Sequence, residues 1–193
     1  MPKIDNEKFY SSAIEKHGIN AKGVNWANAS TQKIRFSTIV KLLPKELYKY
    51  NIIDAGCGFG DFYFYLKKNK TLPKNYIGID CHNDMVSIAS NNTGCKILNL
   101  DITKDDLPRT DFVICSGAMN VLNKYETFLF IKNCFLASEL SFVFNILHGD
   151  KESETYNYIT KKQIELFAKE LDVKKVTFLE GYLDADITVR FDK

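Results

Sequence analysis

The chain has 193 residues, 45% of them hydrophobic, 13% aromatic and 26% charged. That composition is globular, neither disordered nor collagen-like, and a chain this long buries about 70% of the surface its unfolded form exposes. Lys and Arg total 26 against 24 Asp and Glu, a formal charge of +2, which gives no electrostatic case for nucleic acid or an anionic membrane as an obligate partner.

No apolar run approaches the roughly 20 residues of a membrane span. The opening Met1-Pro2-Lys3-Ile4-Asp5-Asn6-Glu7 carries no signal-peptide stretch, so a cytoplasmic location is expected. A single domain is expected over 1–193, with a helical cap over 1–48 and an α/β core over 49–193. Cys57, Cys81, Cys95, Cys115 and Cys134 form no C-x-x-C pair. They read as small buried apolar residues rather than a disulfide framework or zinc site.

In chain order, 6–16 suits a helix with Phe9, Ala13 and Ile14 on its apolar side. The glycine-punctuated stretch 18–26 reads as a loop. A second helix should start near Ser30 or Thr31, with Ile34, Ile39, Val40, Leu42 and Leu43 as its apolar residues. Pro44 disfavours helix at Leu43, and a short turn over 45–48 follows. From Asn51 the pattern changes. Short β-branched runs at 51–55, 76–80, 95–100, 111–116 and 140–147 alternate with helix-length segments at 61–68, 83–89, 124–137 and 160–171. Nearly continuous apolar strands separated by helices predict a parallel sheet covered on both faces. The last runs, 173–179 and 185–191, are joined by too few residues for a parallel crossover, so the final strand should run antiparallel to its neighbour.

The most informative local pattern is Asp54-Ala55-Gly56-Cys57-Gly58-Phe59-Gly60-Asp61, where a strand ends, glycines alternate and a helix begins. An ordinary strand-to-helix turn is one reading. A cradle that lets a ligand approach the backbone is the other. The dinucleotide spacing G-x-G-x-x-G requires glycine where Asp61 stands, and a carboxylate at that helix start repels a pyrophosphate. Acids flanking a glycine cradle suit a cationic ligand without phosphate, and S-adenosyl-L-methionine fits that description.

These eight residues resemble motif I of the class I S-adenosylmethionine-dependent methyltransferases, and the strand order resembles that family from Asn51 onward. The resemblance implies a Rossmann-like three-layer αβα sandwich with a seven-stranded, mostly parallel sheet and an antiparallel last strand. It places Asp54, Gly56, Cys57, Gly58 and Gly60 around the cofactor. It makes Asp80, closing Tyr76-Ile77-Gly78-Ile79-Asp80, the ribose-binding acid, with Cys81 beside it. Asp101 becomes the acid facing the adenine amino group, Ile102 the residue against the base, and Ser116 and Gly117 the backbone near the methionine part. Met85 either packs on the adenine or fills the core. Asp80 and Asp101 could each simply begin a turn, where Asp is common.

Gly23-Val24-Asn25-Trp26-Ala27 followed by Gln32-Lys33-Ile34-Arg35-Phe36 is similar to a subset of small bacterial members of the family. Arg35 either grips the methionine carboxylate with its planar fork or makes a surface ion pair. Trp26 either closes over the sulfonium or anchors the N-terminal helix. Tyr10 is a third lid candidate.

A methyl transfer is an in-line displacement, so the protein mainly positions the acceptor. The acceptor should sit beyond the carboxyl ends of the strands. Asn120, Asn145 and His148 are the candidate catalytic residues there, with Tyr156 and Tyr158 in a following loop. His148 is the best base by chemistry, or else a hydrogen-bonding surface group. The histidines show no metal-ligand spacing. No Pro-Pro-aromatic run follows the fourth strand, and no Pro-Cys pair supplies a thiol nucleophile. The expected activity is methyl transfer from S-adenosylmethionine, giving S-adenosylhomocysteine, to a small molecule such as a sugar or nucleotide-linked precursor, with oxygen favoured as acceptor atom. A non-catalytic cofactor-binding module or partner subunit is the alternative.

Overall fold

The structure is a computed structural model and describes residues 29–193 together with Ser12, Glu15, Lys16 and Gly18. The expected first helix over 6–16 and the Gly-Trp loop therefore fall largely outside the described residues. Helix α1 (Ala29–Lys41) ends just before Pro44, and a 3-10 turn (Leu47–Lys49) leads into β1 (Asn51–Ala55). Then follow α2 (Asp61–Lys68), β2 (Asn75–Asp80), α3 (Asn83–Thr93), β3 (Lys96–Asn99) and β4 (Thr110–Ser116). A 3-10 turn (Ala118–Val121), α4 (Lys124–Ala137), β5 (Ser138–Leu147), α5 (Lys161–Glu170), β6 (Lys175–Leu179) and β7 (Asp186–Asp192) complete the chain.

One seven-stranded sheet has the order β3-β2-β1-β4-β5-β7-β6. β1 is central, pairing in parallel with β2 (Ile53 opposite Ile77) and with β4 (Ile53 opposite Val113). The last strand is antiparallel, as its short connection requires. β7 also inserts between β5 and β6 and pairs antiparallel with both, a placement the sequence did not specify. This is the Rossmann-like sandwich expected from the strand order.

Strand side chains alternate between faces, so each central strand feeds two cores. Ile52, Phe112, Ile114 and Val143 pack with Phe36 and Ile39 of α1, with Leu43 just beyond it, and with Phe62 and Leu66 of α2. Their neighbours Ile53, Val113, Cys115, Phe142 and Phe144 pack on the other face with Phe130, Ile131 and Cys134 of α4 and Ile164 of α5. Burying a side chain such as Phe142, Phe144 or Ile53, each 0% exposed, stabilises the fold by roughly 1.5–3 kcal/mol apiece. Helices α4 and α5 start on reciprocal caps. Asn123 accepts from the Glu126 N–H, and Thr160 accepts from the Gln163 N–H, which fixes where both helices leave the carboxyl edge of the sheet.

Candidate active site

The site is built at the carboxyl ends of β1, β2 and β4, where the sheet order reverses direction around its first strand. After Ala55 the backbone N–H groups of Gly56 and Cys57 both donate to the Ile79 carbonyl, at 2.8 and 3.0 Å. This staples the glycine loop onto the end of β2. Gly56, Gly58 and Gly60 have φ of 77°, 54° and 84°, a left-handed conformation that costs other residues about 1–2 kcal/mol.

Two of these glycines are required by packing. A Cβ on Gly56 would lie 2.3 Å from the Ala118 Cβ, and one on Gly60 would lie 2.6 Å from Thr93 Cγ2. Gly78 in β2 is crowded as well, though by the ends of side chains: a Cβ there would meet Ile97 Cδ1 at 2.6 Å and Cys57 Sγ at 2.8 Å. The cradle is therefore a place where the loop, β2 and the turn after β4 approach one another too closely for side chains.

Asp80 closes this cradle. Its carboxylate accepts from the Gly58 N–H at 2.9 Å and from the His82 N–H at 3.1 Å. It is 7% exposed. Burial pushes its carboxyl up, against the backbone N–H donors of His82 and Gly58, which hold it down. Asp54 points elsewhere, into the sheet, where it is 2% exposed and accepts from the Tyr76 hydroxyl at 2.5 Å. Burial, followed by the repulsion of Asp80 and Asp61 and opposed by the Tyr76 hydrogen bond, pushes Asp54 up to about 7. Tyr76 answers the question of what a buried acid in motif I is bonded to. Nothing local in the sequence marks it as that partner, because the two residues meet only when β1 and β2 pair.

The remaining sequence-selected residues divide clearly. Met85 is 2% exposed and Ile102 is 5% exposed. The Ile102 carbonyl accepts from the Asn133 side chain at 2.8 Å. Asp101 folds back on its own turn, accepting from the Thr103 N–H and hydroxyl at 3.0 and 2.7 Å and from Lys104 Nζ at 2.5 Å. Partial burial pushes Asp101 up, yet the Lys104 and Thr103 donors outweigh it and hold the carboxyl below its ordinary range. Cys57, Cys115 and Cys134 are buried, as expected of small apolar residues. Cys81 is exposed and Cys95 is half-buried, which corrects that expectation for these two. The chain bends at Cys81 and carries its side chain off the end of the strand. Trp26 and Tyr10 lie outside the described residues.

The segment Gln32-x-x-Arg35-Phe36 docks α1. Gln32 donates to Asp61 at 2.9 Å, Arg35 pairs with Asp186 through two 2.6 Å hydrogen bonds, and Phe36 meets the Phe62 ring edge-on at 5.2 Å. Residues three and four apart share a helix face, so this spacing turns all three side chains onto the core. While that pair holds, the Nε and Nη2 atoms of Arg35 are engaged by Asp186 and do not offer their fork to a second carboxylate.

At the ends of β4 and β5, Ser116 Oγ lies 3.4 Å from the Asn145 side chain, and Asn145 is 0% exposed. Asn145 thus orients Ser116 from below and has no surface of its own for an acceptor. Asn120 is likewise committed. Its side-chain oxygen accepts from the Leu147 N–H at 3.1 Å and its carbonyl from the Asn157 N–H at 2.7 Å. His148 is different. Its Nδ1 lies 3.0 Å from the Ile159 carbonyl, which can only accept, so Nδ1 donates there and Nε2 is left to face outward. Nε2 is 3.8 Å from Glu180, and Glu180 also pairs with Lys161 at 3.1 Å. Sequence reasoning missed Glu180, since it reaches His148 across the antiparallel end of the sheet. Beyond His148, a groove of about 1110 Å³ opens between the N-termini of α4 and α5. Tyr125, Tyr158, Lys124 and Lys151 line it together with Glu152 and Glu154.

Comparison with known proteins gives a consistent picture. Residues 52–137 match the family model described as a methyltransferase domain. No curated protein matches the chain. Magnesium protoporphyrin IX methyltransferase from Synechocystis PCC 6803, solved with bound SAH, superposes with a TM-score of 0.72 at 13% identity, covering 96% of each chain. A SAM-dependent methyltransferase from Archaeoglobus fulgidus gives 0.65 at 12% identity, covering 96% of this chain and 100% of its own. The methyltransferase domain of bacterial CtHen1 gives 0.66 at 16% identity, covering 86% and 100%. No helix among the described residues is long and apolar enough to cross a membrane. Residues 52–137 thus resemble a methyltransferase domain, and the chain shares the fold of these S-adenosylmethionine-dependent methyltransferases.

Proposed function

We propose that the protein binds S-adenosylmethionine at the carboxyl ends of β1, β2 and β4 and transfers its methyl group to a small-molecule acceptor, with oxygen as the favoured acceptor atom. The observation that carries this reading is Asp80, a buried acid closing β2 and held by the Gly58 N–H across the glycine cradle. The residues fit such a ligand. A crowded backbone corner admits a close approach, and the acids Asp80 and Asp61 suit a cationic nucleoside and repel a phosphate. Bound S-adenosylmethionine supplies a methyl group on a sulfonium, already activated for displacement.

The chain's own residues then have positioning roles. Asp80 accepts from the ribose hydroxyls. Asp101 and Ile102 face the adenine, with Met85 packed behind. Ser116 and Gly117 set the floor under the methionine part, and buried Asn145 holds Ser116 in place. His148 Nε2 takes the proton of an acceptor hydroxyl, with Glu180 3.8 Å away. The groove beyond His148 offers two tyrosine rings to a flat or sugar-like acceptor.

Calorimetric titration with S-adenosylhomocysteine tests the cofactor assignment. Binding is expected, and NAD should not bind. Absence of S-adenosylhomocysteine binding defeats the reading. A binding module without turnover is the second reading. It is favoured by the full engagement of Asn120 and Asn145 in structural hydrogen bonds. Slow self-demethylation of bound S-adenosylmethionine by water alone, unaffected by His148→Gln, would support it.

A further inference from the structure

Along a strand, successive side chains point to opposite faces, so β2 continued past Asp80 would turn Cys81 away from its neighbours. The chain bends at Cys81 instead. His82 follows in extended conformation, φ −92° and ψ 118°, as the residue preceding α3. One donor atom each from Asp80, Cys81 and His82 thereby comes within 4.8 Å of the others. Asp80 is buried, His82 half-buried and Cys81 exposed, so the cluster opens to solvent on the thiol side.

A carboxylate, a thiolate and an imidazole form a donor set for zinc and similar ions. Magnesium and calcium instead require all-oxygen shells. Around tetrahedral zinc, with bonds of about 2.0–2.3 Å, donors sit roughly 3.3–3.8 Å apart. Closing the cluster to that size needs shifts of up to about an ångström, of which rotation of the exposed cysteine about χ1 supplies the sulfur's share. The Asp80 carboxylate is already oriented by the Gly58 and His82 N–H groups, the kind of outer hydrogen bonding that supports a metal ligand.

We propose that Asp80, Cys81 and His82 form a site for zinc or a similar divalent ion, with its fourth position open to water, and that metal and nucleoside exclude each other there because both require Asp80. The exclusion rests on the ribose role given to Asp80 above, whereas the metal site rests on geometry alone. Metal occupancy would thus switch off cofactor binding at the sugar end of the cleft, and a bound nucleoside would protect the thiol.

Tag-free, chelator-stripped protein titrated with Co²⁺ alone provides the test, read by the thiolate-to-cobalt charge-transfer absorption. The band should appear and saturate, and it should vanish in Cys81→Ser. Circular dichroism should show that variant folded, since Cys81 is exposed. Saturating S-adenosylhomocysteine should weaken cobalt binding by at least about tenfold. No band, or a band that persists in Cys81→Ser, overturns the site. Cobalt affinity unchanged by saturating S-adenosylhomocysteine overturns the exclusion. Should S-adenosylhomocysteine fail to bind the metal-free protein while the Cys81-dependent band appears, the ribose reading and the exclusion fall together and the metal site stands.

Discussion

Arg35 and Asp186 are 151 residues apart in the chain and meet through two parallel 2.6 Å hydrogen bonds. The side chains are 11% and 4% exposed. The pair fastens α1 to the start of β7, and Arg190 adds a second fastening 2.6 Å from the Leu42 carbonyl. Helix α1 and the residues just after it are therefore fastened to β7.

Removing one partner leaves a buried charge without its counterion. Arg35→Ala or Asp186→Asn should each destabilise the protein by about 3–5 kcal/mol, measured by urea denaturation. Arg35→Lys should recover only part of this, because an ammonium cannot reproduce the bidentate fork. The paired replacement Arg35→Met with Asp186→Leu should recover most of it. A paired variant as unstable as either single one would show that the pair does more than fasten the helix.

Asp54 gives stability a distinctive pH dependence. Its folded value, about 7, lies above its unfolded value near 3.9. Between these values the native state holds the proton more tightly than the unfolded chain does. This group's contribution is therefore fully present below about pH 4 and is lost as pH rises towards 7, by on the order of 4 kcal/mol. Urea midpoints measured across that window should fall more steeply for the native protein than for Asp54→Asn, which cannot ionise. Parallel profiles for the two proteins would contradict the buried-acid account.

Two glycines with similar backbone angles should behave differently. Gly56 has φ 77° and a Cβ there would strike Ala118 at 2.3 Å, while Gly94 has φ 68° with nothing within 4 Å. Gly94→Ala should cost only the backbone term of about 1–2 kcal/mol. Gly56→Ala should add about 1–3 kcal/mol of overpacking and also weaken S-adenosylhomocysteine binding, since the turn it displaces carries Ser116 and Gly117. Thermal unfolding and calorimetry on both variants check this, and equal behaviour would remove the packing argument.

Asp80→Ala should weaken S-adenosylhomocysteine binding by roughly 1–3 kcal/mol, the loss expected for charge-assisted hydrogen bonds. Calorimetry on folded protein reads it directly. Unchanged affinity would mean that Asp80 serves only to hold Gly58.

Most of the architecture was legible before any coordinates. Apolar runs bounded by glycines and polar turns fix β1, α2 and α4 to the residue, because period and capping are local properties. The antiparallel last strand follows from connection length, while the acid closing β2 was singled out by the family resemblance. Gln32, Arg35 and Phe36 were singled out by the resemblance of this segment to small bacterial methyltransferases. What they touch was decided elsewhere. Asp186 for Arg35, Tyr76 for Asp54, Ala118 against Gly56 and Glu180 beside His148 are partners brought together by strand pairing and by the insertion of β7 between β5 and β6. Local patterns carry no information about contacts between distant segments. Those contacts arise when burial forces the sheet faces closed, and only then do a buried acid find its hydroxyl and an arginine its carboxylate.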